Sequence, residues 1–311
     1  MKSFAVTARD TQPTVTDLPQ PEPGAGEVLV QVELASVNGF DISVAAGYVW
    51  DMIPHEFPVV LGRDLVGTVT AVGDGVTSVS VGDRVAGVIP GMALSPKTGS
   101  LAEYVALPAE AVAVVPPGVS AEAAATTGLA GVAALDSLDA LDIQAGDTVL
   151  ISGATGGVGS IALQLALAAG ATVIATGRPG EEEEYVRSLG AQHVVDWSGD
   201  LAEQVKALAP QGVDKVVHAA GDPAAVGATL RSGAVVASPR SADNAQLGRD
   251  DVTAVQVMAA ATGEKVARLL DLVAAGSLRV NVETTVPLDR AHEAHAAFAD
   301  GTLGKVLVAV K

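Results

Sequence analysis

The segment from Gly146 to Arg178 constrains the fold of this chain more than any other stretch. Residues 148–152 form a short apolar run rich in β-branched side chains, which is typical of a buried strand. A glycine-rich turn follows, then a run of good helix formers that ends at Gly170, and then a second apolar run over 171–176. The segment therefore predicts a βαβ unit with glycines where the first strand meets the helix.

The glycine-rich turn has the spacing of a dinucleotide-binding loop. Residues without a bulky side chain let the backbone approach a pyrophosphate, and the helix N-terminus offers free N–H groups and the positive end of its dipole. A glycine pattern alone also fits an ordinary strand-to-helix turn, but the strand before it and the helix and strand after it favour dinucleotide binding. The loop residues predicted to contact the cofactor are Gly153, Ala154, Thr155, Gly156, Gly157, Val158 and Gly159.

Bulk properties exclude several classes of protein. The length of 311 residues suits two domains, and the net charge of −18 argues against nucleic acid or an anionic membrane surface as a partner. There is no cysteine, which excludes disulfides, thiolate nucleophiles and cysteine-ligated metals. The polar N-terminus does not fit a signal peptide, and no apolar run reaches the roughly 18 residues that a membrane helix needs. We expect a cytoplasmic protein.

The rest of the chain changes from a β-rich pattern to an alternation of strands and helices. Up to residue 120, short alternating runs separated by turns predict a small β-barrel, and from residue 121 the alternation predicts a parallel, doubly wound α/β sheet. The predicted strands are 3–8, 27–37, 65–72, 83–88, 100–107, 112–115, 194–195, 213–218, 234–237, 252–258, 278–286 and 305–310. The predicted helices are 121–141, 181–189, 201–209, 265–275 and 288–300.

Residues 154–166 resemble the nucleotide loop of zinc-independent medium-chain dehydrogenases/reductases of the quinone oxidoreductase (zeta-crystallin-like) group. The resemblance extends over nearly the whole chain. Other matching motifs lie at 66–69, 72–73, 81–85, 99–105, 123–135, 287–295 and 304–306.

The resemblance implies a GroES-like β-barrel catalytic domain beside a Rossmann domain. The barrel domain is then discontinuous, comprising residues 1–120 and 279–311, and the Rossmann domain comprises 121–278. Relatives pair a sheet edge such as 252–258 into dimers, so we expect a homodimer.

No metal is expected. Zinc alcohol dehydrogenases in the broader superfamily carry cysteine ligands and a Gly-His-Glu motif, and the corresponding place here reads Gly62-Arg63-Asp64. His292 and His295 have the i, i+3 spacing of possible ligands, but a solvated helix face is the simpler interpretation.

The candidate catalytic residues are Asn38 and Tyr48. In the family, Asn and Asp at the spacing of Asn38 and Asp41 line the nicotinamide and substrate cleft. The amide of Asn38 either donates to a substrate carbonyl or cofactor hydroxyl or accommodates left-handed geometry before a glycine, and Asp41 fixes the loop. Tyr48 is either a proton donor or a packed aromatic residue. Trp50 and Met52 either line the pocket or anchor the surface.

The end of the second strand predicts NADPH as the cofactor. NADH-dependent enzymes place an acid there for the ribose 2′-hydroxyl, whereas this strand ends at Arg178 with no acid before Glu181. The Thr176 hydroxyl can hydrogen-bond a 2′-phosphate, Gly177 leaves room for one, and Arg178 is a suitable donor to it. The side chains of residues 181–184 are expected to point away from the ribose in the first turn of the next helix. Further predicted cofactor-binding residues are Asn38, Thr127, Thr176, Gly177, Trp197, Ala219, Ala220 and Ser238.

A small-molecule quinone or α,β-unsaturated carbonyl compound is the expected substrate. Conjugation delocalises the negative charge that hydride transfer creates, so such acceptors need no Lewis acid. The alternative is a protein of the same fold that binds NADPH as a sensor without turnover.

Overall fold

The structure, a computed structural model, describes all 311 residues and divides into two compact units. The β-rich unit combines Met1–Leu129 with Ala261–Lys311, and the parallel-sheet unit is Ala130–Ala260. None of the helices is both long and apolar enough to cross a lipid bilayer.

The β-rich unit contains a seven-stranded sheet and a three-stranded sheet. The larger sheet has the order β15-β16-β3-β5-β6-β8, with β7 also paired to β3, and the smaller one has the order β2-β1-β4. The strands are β1 (Lys2–Val6), β2 (Thr14–Asp17), β3 (Glu27–Ser36), β4 (Val59–Val60), β5 (Asp64–Val72), β6 (Arg84–Val88), β7 (Tyr104–Pro108), β8 (Val112–Val114), β15 (Val282–Pro287) and β16 (Lys305–Ala309). The helices are α1 (Gly39–Ala45), α2 (Ala121–Thr126), α9 (Gly263–Ala274) and α10 (Ala291–Ala299).

Strand β3 is the centre of this unit because it pairs with β5, β7 and β16. Its alternating valines, Val28, Val30 and Val32, are fully buried in the core, as the sequence alternation predicts. The predicted strand 100–107 is shorter in the structure and begins only at Tyr104. Strand β2 and helix α1 were not expected from the sequence pattern.

The parallel-sheet unit contains six parallel strands in the order β11-β10-β9-β12-β13-β14. This order confirms the predicted doubly wound sheet, with the order reversing between β9 and β12. The strands are β9 (Thr148–Ser152), β10 (Thr172–Thr176), β11 (His193–Val195), β12 (Val213–His218), β13 (Leu230–Ser238) and β14 (Thr253–Gln256). The helices are α3 (Leu129–Leu141), α4 (Gly157–Ala168), α5 (Glu181–Ser188), α6 (Leu201–Leu208), α7 (Pro223–Gly227) and α8 (Asn244–Leu247).

The predicted single helix over 121–141 is wrong, because α2 and α3 are separate helices. A Cβ on Gly128 would lie 2.4 Å from the Asp64 Cβ, and the Leu129 N–H donates to an Asp64 carboxylate oxygen at 3.0 Å. The helical hydrogen bonding is interrupted where the chain passes this buried carboxylate. Only tertiary structure places Asp64 there, so the alanine-rich sequence carried no sign of the break.

The unit boundaries differ from the domain boundaries that the sequence predicted. The predicted Rossmann domain, 121–278, includes α2 and α9. In the structure α2 packs on β3 and β5, and α9 packs against β6 and β8, so both helices belong to the β-rich unit. Helices outside a βαβ alternation have no sequence signal for which sheet they cover.

Candidate active site

The glycine-rich loop follows β9 and leads into α4, and its glycines have different roles. Gly153 has a φ of +84°, and a Cβ there would lie 2.7 Å from the Ala220 Cβ. A Cβ on Gly159 would lie 2.1 Å from the Gly153 carbonyl oxygen. At Gly156, the residue preceding α4, the nearest atom to such a Cβ is 3.7 Å away. Packing therefore requires Gly153 and Gly159, whereas Gly156 leaves open space at a helix N-terminus, which fits a phosphate group.

Thr176, at the end of β10, holds this loop in place. Its hydroxyl oxygen accepts hydrogen bonds from the backbone of Gly153 at 2.9 Å and Ala154 at 3.4 Å. The same hydroxyl donates to the carbonyl of Ile151 at 3.3 Å, and the side chain is buried. The expectation that this hydroxyl faces a phosphate is not supported, since its proton is already engaged inside the loop.

The loop after β12 joins the glycine-rich loop. The backbone N–H groups of Ala219 and Ala220 donate to the Ser152 carbonyl at 2.9 Å and 3.2 Å. The Ser152 hydroxyl donates to the Ala220 carbonyl at 2.6 Å. The predicted residues around 153–159 and 219–220 thus meet where the strand order reverses, the place where doubly wound sheets bind dinucleotides.

Ser238 and Thr127, two other predicted cofactor residues, have occupied hydroxyl groups. Ser238 Oγ lies 3.0 Å from His218 Nδ1, and both side chains are buried. Thr127 Oγ1 donates to the Ala124 carbonyl at 2.9 Å, at the end of α2 in the β-rich unit. The sequence carries no local sign of this contact, because His218 and Ser238 are 20 residues apart.

Arg178, Glu182 and Trp197 form one contact cluster after β10. Arg178 donates to Glu182 from Nε at 2.7 Å and from its backbone N–H at 2.8 Å, and its Nη2 lies 2.5 Å from the same carboxylate. Trp197 Nε1 donates to Glu182 Oε2 at 2.8 Å, and the guanidinium carbon lies 4.9 Å from the centre of the Trp197 ring. Residues 181–184 do form the first turn of α5, as predicted. The expectation that their side chains point away is wrong for Glu182, which turns back to Arg178.

A second cluster lies buried in the β-rich unit around Asn38. Its Nδ2 donates to the Ser36 carbonyl at 3.2 Å and to Asp64 Oδ2 at 3.1 Å, and its Oδ1 accepts from Lys305 Nζ at 2.6 Å. Asn38, Asp64 and Lys305 are all buried. The Asn38 amide therefore has no spare proton for a substrate. Its backbone conformation is extended, so the left-handed alternative is also wrong.

Asp41 and Lys305 carry charges into this buried cluster. Asp41 accepts hydrogen bonds from the backbone N–H groups of Asn38 at 2.9 Å and Gly62 at 2.9 Å, which agrees with its predicted role of fixing the loop. Burial raises the pKa of Asp41 to about 6, despite these backbone donors. Burial lowers the pKa of Lys305, opposed by the charges of Asp64 and Asp41.

The residues that follow α1 differ in exposure. Tyr48 is 75% exposed, so the alternative of a packed aromatic residue is wrong. Trp50 is buried, with ring centres 5.1 Å from those of both His55 and Phe57, whereas Met52 is exposed. Trp50 is thus part of the core rather than a surface anchor.

The residues around Gly62-Arg63-Asp64 have no arrangement suited to a metal. No group of three or more His, Asp or Glu side chains is placed to hold an ion. The Asp64 carboxylate is already the acceptor for Ser36, Asn38 and Leu129. On α10, the ring of His295 is half-buried and meets Phe4 edge-on at 5.3 Å. The prediction of a solvated helix face is therefore wrong for this residue.

Comparisons with known proteins agree with both units. Residues 24–117 match the family model of the alcohol dehydrogenase GroES-like domain, and residues 157–238 match that of the zinc-binding dehydrogenases. Together the two matches cover more than half of the chain. They confirm the predicted GroES-like domain and Rossmann sheet.

Two curated relatives match to different extents. The chain is 40% identical over 199 residues to phthioceranic/hydroxyphthioceranic acid synthase of Mycobacterium tuberculosis, a match that covers 63% of the chain but only 9% of that much longer protein. It is 30% identical over 308 residues to the chloroplastic quinone-oxidoreductase QR1 of Triphysaria versicolor, covering 94% of the chain and 92% of the relative.

Solved structures share the whole fold. A mycobacterial structure complexed with NADPH is 31% identical, with a TM-score of 0.86 and complete coverage of both chains. The same family is indicated by the two matched domain models, by a relative aligned over almost its full length and by this structural similarity. The chain therefore belongs to the medium-chain dehydrogenase/reductase family, in the group that includes the quinone oxidoreductases.

Proposed function

We propose that the protein is an NADPH-dependent oxidoreductase that transfers hydride to a quinone or an α,β-unsaturated carbonyl compound without a metal ion. The observation that carries this proposal is the open position at Gly156. Packing demands glycine at 153 and 159 but not at 156, where a missing side chain leaves room for a ligand to approach the helix N-terminus. The mycobacterial NADPH complex and the quinone-oxidoreductase relative support the cofactor and the reaction class.

The loop and the helix N-terminus that follows it would bind the cofactor's pyrophosphate. The free N–H groups at the start of α4 would donate to the pyrophosphate. The Thr176 hydroxyl at the end of β10 accepts from the loop backbone and so fixes the position of the loop. Arg178 and Trp197 would hold the adenosine end, the first by its guanidinium and the second by stacking. When bound, the nicotinamide supplies the hydride.

The buried side chains around Asn38 would position α1 and the residues that follow it, and would not take part in the reaction themselves. Both protons of the Asn38 amide and the Lys305 ammonium are directed inward, so these groups fix α1 and the residues after it. Tyr48 follows α1 and presents an exposed hydroxyl. We propose Tyr48 as the proton donor to the oxyanion that forms on the substrate.

Metal independence is part of the proposal. Arg63 stands where zinc relatives carry a histidine, and a guanidinium is not a metal ligand. Asp64 is committed to hydrogen bonds within the fold. A conjugated acceptor spreads the developing charge over its own π system, so the reaction does not require a Lewis acid.

The direct test is NADPH oxidation with a panel of small quinones and enones, before and after dialysis against a strong chelator. We expect turnover with at least one acceptor and no loss after dialysis. A Gly156→Val variant should stay folded, because its nearest neighbour is 3.7 Å away, but should lose cofactor binding. Turnover restored specifically by zinc would refute metal independence, and binding without turnover would favour the sensor alternative.

We also propose that the protein forms a homodimer through β14. This strand lies at the edge of the six-stranded sheet, and none of its residues is fully buried. An unpaired edge can extend its sheet with a second copy. The Val257 N–H donates to the Ser238 carbonyl of β13, so by alternation the N–H of Ala254 faces the open edge. Light scattering on the wild type and on an Ala254→Pro variant, which lacks this edge donor, would test the proposal: the variant should be monomeric.

A further inference from the structure

Glu182 occupies a set of donors that would also suit a phosphate. Its carboxylate receives the Arg178 guanidinium, the Arg178 backbone N–H and the Trp197 indole N–H. Its side chain is only 15% exposed, whereas that of Arg178 is 55% exposed. The donors therefore converge on a carboxylate that is largely shielded from water.

The position of this cluster indicates which part of a dinucleotide it would meet. Arg178 lies two residues after the end of β10, where a doubly wound sheet receives the ribose of a dinucleotide. A 2′-phosphate at this place needs the guanidinium, because planar bidentate donors are what phosphates bind best. The carboxylate of Glu182 already holds two of the guanidinium nitrogens.

The electrostatics of Glu182 agree with the geometry. Burial alone would raise its pKa, but hydrogen bonds from Arg178 and Trp197 outweigh burial and keep the pKa below its usual value. The carboxylate is therefore charged at neutral pH, and the donors are held by an anion.

We propose that Glu182 is a built-in competitor for the cofactor's 2′-phosphate and so sets how strongly the protein prefers NADPH over NADH. This inference rests on the proposed function. When NADPH binds, the Arg178 guanidinium must leave the Glu182 carboxylate for the 2′-phosphate. Only the difference in free energy between these two ion pairs adds to the affinity for NADPH. NADH has no 2′-phosphate, so its binding involves no such exchange.

The chain offers a matched control for this proposal. Glu183 is the next residue of α5 and pairs with Arg187 at 2.8 Å, again at i, i+4 spacing. Glu182→Gln and Glu183→Gln remove the same charge from the same helical turn. Only the first frees Arg178, and its amide oxygen can still accept from Trp197.

The first experiment measures equilibrium binding by calorimetry and needs no turnover. The probes are NADPH, NADH, adenosine 2′,5′-bisphosphate and AMP. In Glu182→Gln we expect the two 2′-phosphorylated probes to bind about 2- to 5-fold more tightly, the range of an exposed ion pair, with NADH and AMP almost unchanged. Glu183→Gln should leave all four probes almost unchanged. Equal effects of the two variants, or a loss of NADH binding in Glu182→Gln, would overturn the proposal.

A double-mutant cycle separates exchange from simple repulsion between Glu182 and the phosphate. Arg178→Ala is introduced into the wild type and into Glu182→Gln. Repulsion acts equally with and without Arg178, so it cancels in the cycle. If Glu182 competes for Arg178, the loss of NADPH affinity on Arg178→Ala is about 2- to 5-fold larger in the Glu182→Gln background. Equal losses in the two backgrounds would refute competition.

The same measurements distinguish a failure of the proposed function from a failure of the role proposed for Glu182. A wild type that binds neither NADPH nor NADH would refute the proposed function itself. Normal cofactor binding with an unresponsive Glu182→Gln would refute only the role of Glu182. Thermal unfolding of each variant shows whether the fold is intact, so a change in affinity is read only from folded protein.

Discussion

The two units each contain a cluster of charged side chains, and the clusters differ in how far they are removed from water. In the β-rich unit, Asn38, Asp64 and Lys305 are buried, and each hydrogen-bonds to another member of the cluster. In the parallel-sheet unit, Arg178 and Trp197 are at least half exposed and share one carboxylate, that of Glu182. This difference shows that burial determines whether the members of a charge cluster can change partners. A buried set cannot release a member without leaving an unpaired charge, whereas an exposed set can exchange partners with a ligand.

The largest effect should come from removing the ammonium of the buried cluster. Lys305→Met keeps the length of the side chain but leaves the Val37 carbonyl and Asn38 Oδ1 without their charged donor. It also removes one positive charge near Asp64 and Asp41. We expect the free energy of unfolding to fall by about 2–6 kcal/mol, since each buried acceptor that loses its donor costs about 1–3 kcal/mol. Urea denaturation measures it, with the exposed Lys97→Met as the control. A loss below about 1 kcal/mol would mean that the cluster is not tightly coupled.

The next effect is the pH dependence of stability that Asp41 contributes. The folded-state pKa of Asp41 is raised from 3.8 to about 6, so the folded protein binds more protons than the unfolded chain between these values. The contribution of Asp41 to the free energy of unfolding should therefore fall by roughly 2–3 kcal/mol as pH rises from about 4 to 6 and stay level above that. His295, whose pKa burial lowers from 6.5 to about 4, contributes with the opposite sign over this range, so the effect of Asp41 is read as the difference between the wild type and Asp41→Asn. Asp41→Asn should remove this slope and the exposed Asp139→Asn should keep it. Identical pH profiles of unfolding for wild type and Asp41→Asn would contradict the assignment.

Removing the cation of the exposed cluster should change stability little and weaken NADPH binding strongly. Arg178→Ala breaks an exposed ion pair, so we expect less than about 1 kcal/mol of lost stability. NADPH binding should nevertheless weaken about tenfold, because a charge-assisted phosphate contact is lost, while NADH binding changes little. Calorimetry with both cofactors tests this expectation. A variant that is strongly destabilised, or that keeps its full NADPH preference, would remove the contrast between the clusters.

The smallest structural effect should come from Tyr48. Its hydroxyl is exposed, so Tyr48→Phe should leave the melting temperature unchanged. If the hydroxyl donates a proton in the transition state, kcat should fall by about tenfold or more with cofactor affinity unchanged. Unchanged turnover would identify water as the proton source instead.

Much of the fold could be predicted because its signals are local. The apolar runs on either side of residues 153–159 and the helix between them made the βαβ unit evident, and the structure has β9, α4 and β10 in those places. The alternating valines of β3 likewise predicted a strand with one buried face. Glycine spacing predicted the loop for the same reason, since close backbone approach demands small residues within a few positions of one another.

Tertiary structure alone decided which polar atoms are available. Asn38 looked like a donor to substrate, yet Lys305 and Asp64, distant in the sequence, engage its amide. Thr176 looked like a phosphate contact, yet its hydroxyl is used by the loop it supports. Glu182 looked like an ordinary acid at a helix start, yet it turns back to Arg178. Periodicity and spacing determine which backbone elements form, because they follow from neighbours in the chain. The partner of a polar side chain depends on elements that meet only after folding.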